Sequence, residues 1–233
     1  MKKHEDEKPK NAPKKDFGFI TIAAGEGLAE IFKGLGVDEV IQGGQTMNPS
    51  TEDILNAADK INADTIFVLP NNSNIILASN QAASIIEDKK LIVIPTKTIP
   101  QGITAMINFE LTRSADENEK AMLESLSTVK SGQLTYAVRD TSIDGKEIKK
   151  DNYLGLGDNG LASVGTDMDD TLIDMLSEFV DDESELISVY YGEDIDENKA
   201  EELVYKIEEK FDGVDVELQY GGQPVYYYIV SVE

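Results

Sequence analysis

Between Phe17 and Asn108, short apolar runs alternate in regular order with amphipathic stretches, and this alternation constrains the fold more than any other feature of the chain. The runs at residues 18–24, 39–42, 65–69 and 91–94 have the length and bounding turn residues of strands. The stretches at 28–35, 51–61, 73–86 and 101–109 repeat apolar residues at helical spacing. Strands alternating with helices specify a parallel sheet covered on both faces, in three α/β/α layers. Right-handed crossovers then bring the loops after successive strands to one edge of the sheet. In an open parallel sheet, ligands or partners bind beyond those carboxyl ends. The edge collects Gly25-Glu26-Gly27, residues 43–48, Asn71-Asn72-Ser73-Asn74 and residues 95–98. Thr46, Asn48, Asn71, Asn72, Ser73 and Asn74 are therefore its candidate ligand or partner residues.

The pattern changes after the polar break at residues 112–116. A helix over 117–129 is followed by strand candidates at 133–140, 146–149, 153–156 and 160–164, joined by short Asp-Gly and Asn-Gly turns that favour antiparallel hairpins. Helices at 169–180 and 197–211 and strands at 186–191, 214–220 and 225–232 close the chain on a mixed sheet. Gly221-Gly222-Gln223-Pro224 joins the last two, tyrosine-rich strands, a composition suited to protein contact surfaces, with Gln223 and Tyr226 as candidates. The expected fold class is two-domain α/β, with a first domain at 17–114 and a second, mixed-sheet domain at 115–233. Residues 1–16 are charged, carry two prolines and lack an apolar period, so a disordered linker is expected there. A linker at the start suggests a piece of a longer protein.

Charge and composition exclude several functions. The net charge is −24, with 6 Lys and Arg against 12 Asp and Glu in residues 16–114 and 9 against 30 in residues 115–233. Such a surface repels phosphate backbones and anionic lipid and favours a basic protein partner, so no nucleic acid is expected. Cysteine is absent, which removes disulfides, thiolate metal sites and thiol nucleophiles. No apolar run is long enough to span a membrane and no signal peptide is visible, so the default compartment is the cytoplasm. His4, the single histidine, falls on the expected linker, where a general base would lack fixed geometry.

Two motifs imitate catalytic loops. Gly25-Glu26-Gly27 sits where a nucleotide phosphate could bind, but Glu30 replaces the third glycine of a dinucleotide fingerprint and Glu26 would repel a pyrophosphate. A tight turn accounts for both glycines. Asp167-Met168-Asp169-Asp170-Thr171 matches the Asp-x-Asp-x-Thr loop of haloacid-dehalogenase-type phosphatases, yet only 59 residues follow Asp174 and a hairpin region precedes the motif. A helix capped by Thr166 or Asp167, with acids in its first turn and Leu172, Met175, Leu176 and Phe179 inward, fits the spacing better. No other catalytic or metal-ligand spacing occurs.

Five ordered blocks, at residues 18–27, 43–50, 69–74, 157–160 and 221–233, together resemble the carboxy-terminal region of the bacterial fatty acid kinase protein FakA, of a dihydroxyacetone-kinase-like family. The resemblance covers nearly all of residues 16–233. It implies that ATP and magnesium belong to an amino-terminal kinase domain, followed by a metal-binding middle domain, neither present in this sequence, so no cofactor is expected in this chain. It implies as partner a separate fatty-acid-binding, DegV-like carrier whose bound acid is phosphorylated to acyl phosphate for phospholipid synthesis. The layout also looks like the DegV fold. Laid onto the carriers' carboxylate site, Thr46 stands at their Thr, Met47 replaces their Ser, Ser73 lies in the second loop, and residues 220–223 replace a His-containing turn. The resemblance thus implies a non-catalytic region that docks the carrier. The alternative is a DegV-like module that itself binds a fatty acid or small ligand where Thr46 and Ser73 converge.

Overall fold

The computed structural model describes residues 13–44, 47–143 and 145–233; His4 and Thr46 lie outside them. In chain order, the first half holds β1 (Lys15–Ala23), α1 (Glu26–Gly34), β2 (Glu39–Gln42), α2 (Thr51–Lys60), β3 (Ala63–Leu69), α3 (Ser73–Ile85), β4 (Lys90–Val93), α4 (Ile99–Ile107) and α5 (Ala115–Ser125). The second half holds β5 (Lys130–Tyr136), β6 (Thr141–Ile143), β7 (Lys146–Ile148), β8 (Tyr153–Gly157), β9 (Gly160–Gly165), α6 (Met168–Phe179), β10 (Leu186–Tyr191), α7 (Glu197–Lys210), β11 (Asp215–Tyr220) and β12 (Tyr228–Val232). The chain divides into two compact units, one formed by residues up to Ala23 and Ile31–Glu124, the other by Ala24–Glu30 and Ser125–Glu233.

The first unit is built on a four-stranded parallel sheet in the order β2-β1-β3-β4. Successive strand residues point to opposite faces, so β1 sends Ile20 and Ile22 to one side and Phe17 and Phe19 to the other. Ile20 and Ile22 join Ile54, Ala58, Ile66, Val68 and Ile75 in a core under α2 and α3. On the opposite side Phe17, Phe19, Phe67 and Phe109 form an aromatic cluster with centroid separations of 4.7–5.9 Å, the edge-on and offset geometries that ring quadrupoles favour. Local chemistry sets the helix starts. Ser50 and Asp53 form a reciprocal capping box on α2, Asn72 caps α3, and Thr98 caps α4 with Pro100 in its first turn.

The second unit carries a six-stranded mixed sheet in the order β11-β10-β12-β5-β8-β9, and β6 and β7 form a separate hairpin. Leu172, Met175 and Leu176 of α6 and Ala200, Leu203 and Ile207 of α7 bury their apolar stripes against Ile187, Val189, Val230 and Val232.

Three sequence expectations are corrected. The linker does not extend through residue 16: Lys15 opens β1, donating its backbone N–H to Asn62 O at 2.9 Å and pairing through its ammonium with Asp38 at 2.5 Å, so its charge does not prevent strand formation. The polar break at 112–116 lies inside the first unit. It is a capped turn, in which Ser114 and Glu117 bond reciprocally and buried Asn118 holds the backbone of Glu110 and Arg113. Last, the final strand does not start at residue 225, because the chain must first pass β10, which lies between β11 and β12, parallel to β11 and antiparallel to β12. Tyr226 and Tyr227 accordingly sit in the connection, and β12 begins at Tyr228.

Candidate functional site

At the carboxyl end of the parallel sheet, the proline at residue 70 ends β3 and the chain turns at Asn71, whose φ of 55° is left-handed. Asparagine tolerates that region because its short amide bonds locally. Asn71 is 7% exposed, and its side chain runs back across the strand ends: Nδ2 donates to Thr21 Oγ1 at 2.8 Å and to Ile22 O at 2.9 Å. Its backbone N–H donates to Thr96 Oγ1 at 2.9 Å, and the Thr21 hydroxyl donates to Leu69 O at 3.3 Å. The residue thus links the ends of β1 and β3 to the loop after β4. Asn71 Oδ1 has no hydrogen-bond partner among the described residues and lies against Gly102 of α4, where a Cβ would overlap it.

The neighbouring candidates divide by role. Asn72 accepts from Asn74 N at 2.9 Å and donates to Gly44 O, so it caps α3 and also fixes the loop after β2. Ser73, Asn74 and Asn48 are exposed. The buried polar chemistry here connects strands, and among the described candidates Ser73 offers a hydroxyl and Asn48 and Asn74 offer amides at the surface. Among the described residues, no three His, Cys, Asp or Glu side chains are grouped to hold a metal ion.

Gln223 and Tyr226 belong to the second unit. Gln223 is 1% exposed, and its Nε2 donates to Tyr190 O at 2.9 Å while its backbone O accepts from Glu193 N at 3.1 Å. Gly221 and Gly222 donate to Tyr191 O at 2.9 and 3.1 Å. The loop is thereby secured to the end of β10, with the Gln223 side chain directed inward and its Oε1 unpartnered among the described residues. Tyr226 is half-buried, which pushes its phenol pKa up. Between them Val225 has φ 72°, and Tyr226 N donates to Pro224 O at 2.8 Å, an uncommon γ-turn for a β-branched residue.

Both imitations of catalytic loops have structural roles. Gly25 has φ 116° and packs on Gly221 O, a Cβ on Gly27 would overlap the carbonyl of Tyr220, and Leu28 N donates to Gly221 O at 2.9 Å. The amino end of α1 is therefore occupied by the chain's own carbonyl at the place a phosphate would need. In the Asp-x-Asp-x-Thr stretch, Asp167 caps α6 by accepting from Asp170 N at 3.0 Å, and Asp169 pairs with Lys206 at 2.6 Å, raising the Lys206 pKa. Thr171 is buried and bonds Asp167 O, so the three side chains cannot converge on a phosphoryl group.

Sequence reasoning missed the inward aim of Asn71 and the strain at Val225. The Pro-Asn-Asn order signals the first, since asparagine after proline often turns left-handed; no local signal marks the second. It also missed that Glu197, Glu201, Tyr205 and Glu208 share one face of α7, although their helical spacing was readable.

Comparison with known proteins places this geometry in a family. Residues 18–233 match the family model for the C-terminal part of FakA-like fatty acid kinase proteins. Protein YloV of Bacillus subtilis (strain 168) is 47% identical over 220 residues, which cover 94% of this chain and 40% of YloV, so the chain spans less than half of that relative. Among solved structures, the DegV family protein Cg2579 from Corynebacterium glutamicum superposes with a TM-score of 0.68 at 12% identity, covering 93% of this chain and 96% of that one. The Streptococcus pneumoniae fatty acid kinase B3 protein, loaded with linoleic acid, gives 0.59 at 12% identity, covering 94% and 99%. At such identities the likeness is one of fold, and the fold is DegV-like. With a family model spanning both units and a relative 47% identical across 94% of this chain, the chain belongs to the FakA-like C-terminal family of fatty acid kinase proteins.

Proposed function

We propose that this chain is the carrier-docking part of a fatty acid kinase, a DegV-like scaffold that binds an acyl-loaded, DegV-like carrier and does no chemistry itself. A kinase domain outside this chain, holding ATP and magnesium, would phosphorylate the bound acid to an acyl phosphate for phospholipid synthesis in the cytoplasm. The observation that carries the reading is Asn71. In a fold shared with fatty-acid-loaded proteins, its amide turns into the sheet end and donates to Thr21 Oγ1 and Ile22 O, so this Nδ2 is not offered to a ligand carboxylate. The acidity of residues 115–233 favours steering of a partner with a basic surface.

Isothermal titration of the chain with a fatty-acid-loaded carrier, at low and high salt, tests this. Binding that weakens as salt rises is the expected result. Absence of binding at both salts removes docking, and salt-insensitive binding removes the steering component.

A second reading, direct binding of a fatty acid or similar small ligand, is favoured by the fold shared with the linoleic-acid-loaded protein. Native mass spectrometry decides it, since a co-purified acyl chain would establish this reading in place of the first.

A further inference from the structure

We propose that the open edge of β11 and the adjoining face of α7 form a groove that accepts an extended, basic segment of a protein partner by strand addition. The inference rests on the docking reading and assigns its surface.

Strand β11 ends the six-stranded sheet and pairs with β10 alone. Asp215 N donates to Glu185 O at 2.9 Å, which fixes the alternation of the ladder. Residues 215, 217 and 219 bond toward β10, and the backbone groups of Val216 and Leu218 point outward. No backbone bond from beyond β10 reaches those two residues among the described residues. An unpaired edge of this kind is a template for another strand, in which main-chain bonds supply affinity and alternate side chains supply specificity.

Beside the edge lies a groove of about 420 Å³ walled by Glu197, Glu201, Tyr205 and Glu208 of α7 and floored by Leu218 and Tyr220. Tyr205 is 70% exposed and Tyr220 47%, high values for aromatic rings on a surface otherwise covered in charge. No ion pair engages the three glutamates among the described residues. The surrounding stretch, residues 193–217, carries 11 Asp and Glu against 3 Lys and Arg. Their field reaches the groove floor, where Glu197 and Glu201 add to burial in raising the Tyr191 phenol pKa.

The charge selects the occupant. A second copy pairing through its own β11 would bring Asp215 and Glu217 against the same residues, so self-association is opposed. Nucleic acid and anionic lipid are repelled. Arginine fits both wall types, because its guanidinium stacks on tyrosine and bonds carboxylates in a planar fork.

The test uses the whole chain and a synthetic peptide of about eight residues alternating Arg and Val, long enough for a strand. Controls are its Glu-Val counterpart and an Arg-Val peptide N-methylated at alternate positions, which keeps the charge but cannot extend the ladder. Binding of the Arg-Val peptide, weakened about tenfold or more by E201Q/E208Q, by Y205A and by N-methylation, is expected. All three side chains are exposed, and unchanged urea midpoints would show intact folding. Failure of the Arg-Val peptide to bind, equal binding by the variants, or equal binding of the N-methylated or Glu-Val peptide overturns the proposal. Titration of the same variants with the acyl-loaded carrier separates the two claims. Equal carrier affinity for wild type and variants overturns the groove and keeps docking; variant-sensitive peptide binding with no carrier binding overturns docking and keeps the groove.

Discussion

The Asn71 side chain donates to the Thr21 hydroxyl at 2.8 Å, joining the carboxyl ends of β3 and β1 inside the sheet. Replacing Asn71 with Ala removes this bond and the one to Ile22 O and leaves a Cβ-bearing residue at φ 55° without amide compensation. Two neutral hydrogen bonds at roughly 1 kcal/mol each and a left-handed penalty of about 1 kcal/mol predict a loss of about 2–4 kcal/mol in urea unfolding. Asn71→Asp places a buried carboxylate facing the carbonyl of Ile22. The variant is expected to regain stability as pH falls and the carboxyl protonates, whereas Asn71→Ala shows no such recovery.

Gly27 approaches the backbone of Tyr220 so closely that a methyl group has no room, whereas Gly34 at the other end of α1 has no heavy atom within 4 Å of its Cβ position. Gly27→Ala is therefore expected to destabilise by about 1–3 kcal/mol through overpacking. Gly34→Ala, on the same helix, is expected to be neutral or stabilising by up to about 1 kcal/mol, since it removes only backbone freedom. Thermal melts of the pair check both. A Gly27→Ala variant as stable as Gly34→Ala would mean that the gain in helix propensity, not contact with the Tyr220 carbonyl, decides the effect at Gly27.

Periodicity made most of the fold legible, because apolar spacing reports which face each element buries. It locates β2 and β10 to the residue and most other strands and helices to within a few residues. Pairing partners were not legible. Nothing local tells Tyr220 that its strand lies beside β10 and that β12 must cross to the far side. The glycines at 25 and 27 signalled a tight turn, but their reason, the carbonyls of Tyr220 and Gly221, lies almost two hundred residues away. At the candidate site the residue types were readable and their directions were not. Asn71 and Gln223 belong to polar loops in sequence yet point inward, because buried backbone carbonyls there require donors.

Val225 is 43% exposed and has φ 72°, so its branched side chain gains little from burial while its backbone is strained. Val225→Gly should relieve roughly 1–2 kcal/mol of that strain, offset in part by extra freedom in the unfolded chain. A net stabilisation of about 1 kcal/mol is expected, seen as a raised urea midpoint with unchanged slope. A destabilised variant would show that the side chain contacts more than the turn geometry indicates.

Tyr190 lies buried on β10, and burial, opposed by a hydrogen bond with Ser188 and reinforced by Glu233 and Glu217, pushes its pKa up to about 12. In the unfolded chain the phenol ionises near 10. Above that value the unfolded state releases a proton that the folded state keeps, so the folded state binds more protons and stability falls as pH rises. The window runs from about pH 10 to about pH 12, and below it Tyr190 has no effect on the slope. Tyr191, Tyr226, Tyr227 and Tyr228 are shifted in the same direction by burial, which steepens the decline. Urea midpoints measured at intervals from neutral pH through this window are expected to fall steadily. Tyr190→Phe removes one proton from the linkage and should flatten the decline by an amount worth a few kcal/mol at its alkaline end. A variant whose alkaline slope matches wild type would show that Tyr190 ionises in the folded chain at its ordinary value.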